Sequence, residues 1–322
     1  MNPVLVEVTR GGRVESAHRG AAVVADGQGR VVFQAGDIDA AVFPRSAVKA
    51  FQALPLVESG AADRLGLTEA EIALACSSHS GEPAHVATAR SMLAKAGRDA
   101  ACLECGAHWP YDAAATRALA ASGQMPSALH NNCSGKHSGF ICLACASGDD
   151  PAGYVRPDHP TMRRVTAALS EATGTRLDAA NCGTDGCSIP TYAIPLRALA
   201  TGFARFGTAS GAAARIRASV AANPFMVGGT DRFDTVLMTA LGARAFTKGG
   251  AEGVHCAALP DLGLGIAIKC DDGAGRAADL VCASLIARFL GAGVPDSLLR
   301  PELRNWNGLT VGTLRPAGPL AA

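Results

Sequence analysis

The chain has 322 residues, 48% of them hydrophobic and 18% charged, and a net charge of +1. This is the composition of a globular protein with enough residues for a full core, in one large domain or two ordinary ones. With no lysine or arginine cluster, nucleic acid is excluded as an expected partner, because phosphate recognition needs a concentrated basic face. No apolar run approaches ~18 residues, so no membrane span is expected. The start, MNPVLVEVTRGGR, lacks a basic segment followed by an apolar one, so it does not read as a secretory signal. Of the eleven cysteines, several sit among small apolar residues, as in ALACSS and FICLACASG, which predicts free thiols and a cytoplasmic protein.

In chain order, Val4 to Val8 and Ala21 to Val24 read as strands, and Asp26-Gly27-Gln28-Gly29 supplies a turn into Val31-Val32-Phe33. A helix is expected after Pro44-Arg45-Ser46, ending near Glu58-Ser59-Gly60. LTEAEIALACSS opens on a capping box, Thr68 to Glu71. PAHVATARSMLAKAG, HPTMRRVTAALSEATG, SGAAARIRASVAANP and DTVLMTALGAR have helical spacing. ARAFTKGG, GVHCAALP and LGIAIKCDDG then read as three successive strands, and GRAADLVCASLIARFLGAG as a long closing helix. Strands at both ends with helices between do not alternate as in a doubly wound sheet. The expected fold is α+β, an antiparallel sheet formed from both chain ends and flanked by helices. The expected organisation is a single domain over 1–322 with an inserted helical region, and 316–322 as a loose tail.

Ser46 and Lys49 lie three apart at a helix start, which puts hydroxyl and amine on one face. The neighbours of Lys49 are apolar, and a desolvated amine tends to lose its charge and serve as a base. The plain alternative is a lysine reaching from a core helix to water. CSSHSGE, residues 76–82, holds Ser78 in a loop whose composition suits a polar ligand or simply a turn. HNNCSGKHSGF, residues 130–140, crowds hydrogen-bonding groups around Gly135 but lacks the upstream glycine and the Ser/Thr of a phosphate-binding loop. NCGTDGCSIP places Asp185 and Cys187 in a turn; Cys187 and Cys133 are candidates to share a metal, and Cys182 and Cys187 are alternatively plain core thiols. Cys102/Cys105 and Cys142/Cys145 have paired spacing but read as core thiols. Lys248 ends a strand before two glycines, which permit close approach of a ligand.

Ser-x-x-Lys early and Lys-Gly-Gly on a late strand resemble the layout of serine β-lactamases and penicillin-binding proteins. PRSAVKAFQALP, SSHSGEPAH, CGAHWP, NNCSGKHSGF, NCGTDGCSIP, FDT, KGGAEGV and GLGIAIKCDDG together resemble, more specifically, the Rhizobium etli-type L-asparaginases, class 3 of the asparaginase II family. The resemblance implies a β-lactamase-like fold, a homodimer, and hydrolysis of L-asparagine to L-aspartate and ammonia. By position, Ser46 with Lys49 resembles the family's first Ser-Lys pair. Ser78 resembles the serine of a second pair, with Lys248 as its lysine and Lys269 as the alternative. Cys133, Lys136 and Cys187 resemble its zinc ligands, and Arg45, Asn132, His137 and Asp185 its substrate-binding and supporting residues. Two other classes stay open. One is a different Ser-Lys amidohydrolase, such as a glutaminase or peptidoglycan-type amidase. The other is a non-catalytic zinc or thiol protein.

Overall fold

A computed structural model describes residues 1–321. The main sheet has eight strands, all paired antiparallel. From one edge its order is Glu302–Arg304, Thr310–Pro316, Val4–Arg10, Arg13–Asp26, Leu264–Cys270, Val254–Leu259 and Phe246–Gly250. Val31–Ala35 pairs with the far half of the long Arg13–Asp26 strand. The expected sheet from both chain ends is therefore present, with the helices of residues 49–241 inserted between its halves.

The run Ala21–Ala25 is buried throughout because alternate residues enter two different cores. Ala21, Val23 and Ala25 face a large core with Phe51, Leu74 and Phe203, whereas Ala22 and Val24 face a second with Leu280, Val281 and Ile286. The second core is covered by the Gly275–Leu290 helix. On the first face the Leu196–Thr208 helix lies so close that a Cβ at Gly265 would sit 2.0 Å from Ala200 O.

The Thr68–Glu71 capping box is formed, with each side chain bonding the other residue's backbone N–H. The helix expected after Pro44 begins as a tighter 3₁₀ turn, Arg45–Val48, and becomes α-helical over Lys49–Glu58. The start of the segment expected to be loose is held in the sheet. Pro316 pairs with Val6, Ala317 N–H donates to Leu5 O, and Ala317 is buried. Of the expected loose segment, Ala322 lies outside the described residues. Among the described residues all eleven cysteines are free, and no helix is long and apolar enough to cross a membrane.

Candidate active site

A cavity of about 450 Å³ opens where the Phe246–Gly250 strand abuts the Arg45–Val48 turn. Gly250 permits that approach: a Cβ there would lie 2.5 Å from Pro44 O and 3.2 Å from Ala47 N. Ser46, Ser78, Asn132 and Lys248 line the cavity, together with Asp234 and His255. Arg45, immediately before Ser46, has φ +53°, a left-handed conformation that costs a non-glycine residue energy and recurs at active sites. The twist comes where the chain presents Ser46 to the cavity.

Of the five lysines in the chain, three are buried: Lys49, Lys136 and Lys248. Lys49 opens its α-helix, and its backbone N–H donates to Ser46 O. Its amine points elsewhere. Nζ donates to Ser77 O at 2.5 Å and lies 2.9 Å from Ser78 Oγ and 3.1 Å from Cys133 Sγ. The expected Ser46–Lys49 side-chain bond is not made among the described residues; the amine joins the second serine. These two loops and one helix meet because Gly135 lets the Ser134–Ala146 helix touch the backbone of Leu74, only four residues before Ser78.

Lys248 Nζ donates to Gly249 O at 2.7 Å and lies 3.7 Å from Asp234 Oδ2. Burial brings this amine down to about 8, although Asp234 opposes the shift. It has no bond to Ser78 among the described residues, but both line the same cavity. Lys269 lies apart, donating to Glu252 O and Cys270 O.

Behind the cavity wall lies a thiol and amine cluster. Lys136 donates to Cys187 Sγ at 3.0 Å, and Cys187 Sγ is 3.3 Å from Asp185 Oδ2. A hydrogen bond from Cys187 holds Cys133 well below the usual thiol range against burial, with help from Lys49 and Lys136. That same bond and burial push Cys187 up. Burial would lower Lys136, but Cys187, Cys133 and Asp185 raise it. Among the described residues no group of three or more His, Cys, Asp or Glu is placed to hold a metal. A metal here would draw on Cys133, Cys187 and the Lys136 amine. Two sulfurs and a nitrogen are donors that zinc accepts, and a dication takes the place of the proton that the anionic neighbours now keep on Lys136.

The four expected substrate or supporting residues separate. Asn132 lines the cavity, and its backbone N–H donates to His108 Nε2. Arg45 and Asp185 face one another as a 2.6 Å ion pair. Burial would raise Asp185, but Lys136 and Arg45 hold it below the ordinary carboxylate value. His137 is fully buried, with Nδ1 2.6 Å from Tyr154 Oη and Nε2 without a partner among the described residues. Burial pushes it well below the usual histidine value, and it supports the core rather than the cavity. Of the spaced pairs Cys102/Cys105 and Cys142/Cys145, Cys105 and Cys142 are core thiols pushed up to about 12 by burial, and Cys102 and Cys145 are half-buried against the core.

A family model described as L-asparaginase II matches residues 6–316. The chain belongs to the L-asparaginase II family. This makes it an asparaginase-type amidohydrolase acting on a small molecule. Two solved structures are similar at low identity. A β-lactamase from Mycobacterium bovis is 17% identical with a TM-score of 0.42, over 84% of this chain and 94% of that one. A protein described as Mglu in its native form is 17% identical with a TM-score of 0.39, over 91% of this chain and 69% of that one. No curated protein matches.

Reading the sequence missed Asp234, His255 and Asp279, which line the cavity of this asparaginase II family member. The only sequence signal was the FDT segment; nothing in the spacing of three residues on a helix, a strand and another helix shows that they meet.

Proposed function

We propose that the protein is an L-asparaginase, hydrolysing L-asparagine to L-aspartate and ammonia through a Ser-Lys acyl-enzyme. The observation that carries this reading is the Lys49 amine 2.9 Å from Ser78 Oγ in a cavity that Ser46 and Lys248 also line. Family membership supplies the reaction class, and this arrangement supplies a hydroxyl nucleophile and amine bases.

Ser46 is the proposed nucleophile, because it stands at a helical start where N–H groups face a developing oxyanion and follows the strained Arg45. Its oxygen attacks the side-chain amide carbon. The Ser46 proton passes to Ser78 Oγ as the Ser78 proton passes to the Lys49 amine. That amine is held against Ser78 by its bonds to Ser77 O and Cys133 Sγ. The carbon–nitrogen bond then breaks as Lys49 returns a proton to the leaving nitrogen by the same route. Water repeats the sequence on the ester and frees aspartate. Lys248 faces the cavity as a second amine that is readily neutral near pH 8. Arg45 and Asp185 exchange partners with a zwitterion, guanidinium to its carboxylate and carboxylate to its ammonium. Asn132 hydrogen-bonds at the cavity wall, and His137 holds the helix behind it.

Cys133, Lys136 and Cys187 are the residues that would hold zinc, which would supply a Lewis acid next to the cavity. The remaining expectations, a homodimer and a reducing cytoplasmic setting, are kept in this reading and rest on the resemblance and on the free thiols.

The deciding experiment is ammonia release from asparagine and from glutamine, with and without chelator. Release from asparagine in preference to glutamine supports the reading. Faster glutamine turnover makes it a glutaminase, and inertness toward every small amide overturns it.

A further inference from the structure

Asp234 sits in the first turn of the Phe233–Leu241 helix and is buried. Its Oδ1 accepts from Thr247 Oγ1 at 3.0 Å and from His255 Nε2 at 3.0 Å, and its Oδ2 accepts from Gly249 N–H at 3.0 Å. One carboxylate thus grips the residue before Lys248 and the residue after it, and its Oδ2 stands 3.7 Å from the Lys248 amine. The other ring nitrogen of His255, Nδ1, lies 3.0 Å from Asp279 Oδ1 on the Gly275–Leu290 helix. Two carboxylates on one imidazole require an N–H on both nitrogens, so the ring between them is an imidazolium. Burial would lower His255, but Cys282, Asp234 and Asp279 bring it well above the usual histidine value. Burial would likewise raise Asp234, but His255, Lys248 and Gly249 N–H hold it far below the carboxylate range. The unit of Asp279, His255 and Asp234 therefore carries one net negative charge. It runs from a part-exposed carboxylate at the cavity mouth to a buried amine.

We propose that Asp234, braced by His255 and Asp279, is the positioning residue that fixes the Lys248 amine in the cavity and balances its charge. The role rests on the proposed function only in what Lys248 then does. Lys248 faces charged and titratable groups from several elements. Asp234 and Arg232 come from the Phe233–Leu241 helix and its cap, Lys49 from its own helix, and Cys133 from the start of the Ser134–Ala146 helix. Cys76 and Cys256 are also near, both held as neutral thiols by burial. Lys49 and Arg232 disfavour the ammonium, while Asp234 and Cys133 favour it. Asp234 is the one of these held in place by four groups: a hydroxyl, an amide, an imidazolium and the amine itself. Losing it removes the carboxylate that stands 3.7 Å from the Lys248 amine.

With only five lysines, the Lys248 amine can be followed by NMR in full-length protein labelled with ¹³C-lysine and assigned with Lys248→Met. In Asp234→Asn the Lys248 midpoint is expected to fall by about one pH unit, a tenfold change in the ratio of neutral to charged amine. In Asp279→Asn, whose part-exposed carboxylate reaches Asp234 only through His255, a smaller fall in the same direction is expected. A purely structural role lowers the melting temperature without moving the Lys248 midpoint, and that result overturns the proposal. If Asp234→Asn does not fold, Asp279→Asn decides: an unmoved midpoint overturns the inference, and a downward shift supports it. Because the readout is the amine itself, it holds or fails whether or not the protein hydrolyses asparagine.

Discussion

The Lys49 amine meets Ser78, a residue 29 positions along the chain, rather than the serine one helical turn before it. The cause is local geometry. Arg45–Val48 is a 3₁₀ turn, and the buried Lys49 amine finds its acceptors in the loop after the Glu69–Ala75 helix. A motif read as one pair thus puts its serine on the cavity and its amine against Ser78 Oγ.

Lys49→Met is expected to lower kcat/KM by about 10²–10⁴-fold, the usual worth of a general base. It also leaves Ser77 O without its donor, so stability falls by about 1–3 kcal/mol. Steady-state ammonia release and urea denaturation measure the two effects. Activity within threefold of the parent would remove Lys49 from the chemistry.

For pH dependence, the lowered Lys248 matters most. Its amine is charged below about 8 and neutral above it. If the neutral form is the active one, kcat/KM rises with pH through a midpoint near 8. Lys248→Met abolishes that limb and leaves any other. A profile flat between pH 7 and 9 would show that Lys248 acts as a fixed charge.

Metal content is predicted to follow the thiols. Protein purified without chelator is expected to carry zinc, and Cys133→Ala or Cys187→Ala to lose it, by elemental analysis. On the proposed serine attack, removal is expected to weaken substrate binding more than turnover. Full metal retention in both variants would move the site elsewhere.

Intact-protein mass after acid quench separates the serines. Ser46→Ala is expected to form no aspartyl adduct, and Ser78→Ala to form it slowly because the proton route to Lys49 is broken. An adduct on the Ser78 peptide in Ser46→Ala reverses the two roles. Loss in both variants means that they act as one unit.

Gly250→Ala tests the seam between strand and turn. Its Cβ would meet the Pro44 carbonyl and Ala47 N, both backbone atoms that cannot swing aside. Overpacking of this kind costs about 1–3 kcal/mol. We expect a lower Tm and a larger loss in kcat than in KM, because Ser46 moves relative to Lys248.

The sequence carried the local signals well. Turn glycines, alternating apolar residues and the Thr68–Glu71 box sit in the elements they predict, since each acts over a few residues. The Leu196–Thr208 helix went unread because it starts on Pro195 with no side-chain cap, and its apolar face shows only against the sheet. The chain end looked loose, yet Pro316 pairs with Val6 and Ala317 N–H donates to Leu5 O, contacts that no local signal announces. At the site, residue identities were legible and partnerships were not. Lys49 with Ser78, Arg45 with Asp185 and Asp234 with His255 are all tertiary meetings between distant segments.

The seam joining Arg13–Asp26 to Leu264–Cys270 governs how the protein is made. Gly20 waits for Cys270, so on the ribosome one of the first strands emerges with an unpaired apolar flank while most of the chain is still to be synthesised. Such distant pairing folds slowly and leaves a sticky edge exposed meanwhile. Helper proteins that shield nascent chains are thus expected to raise the soluble yield. N-terminal fragments ending before residue 264 are expected to aggregate, even though they contain both serines.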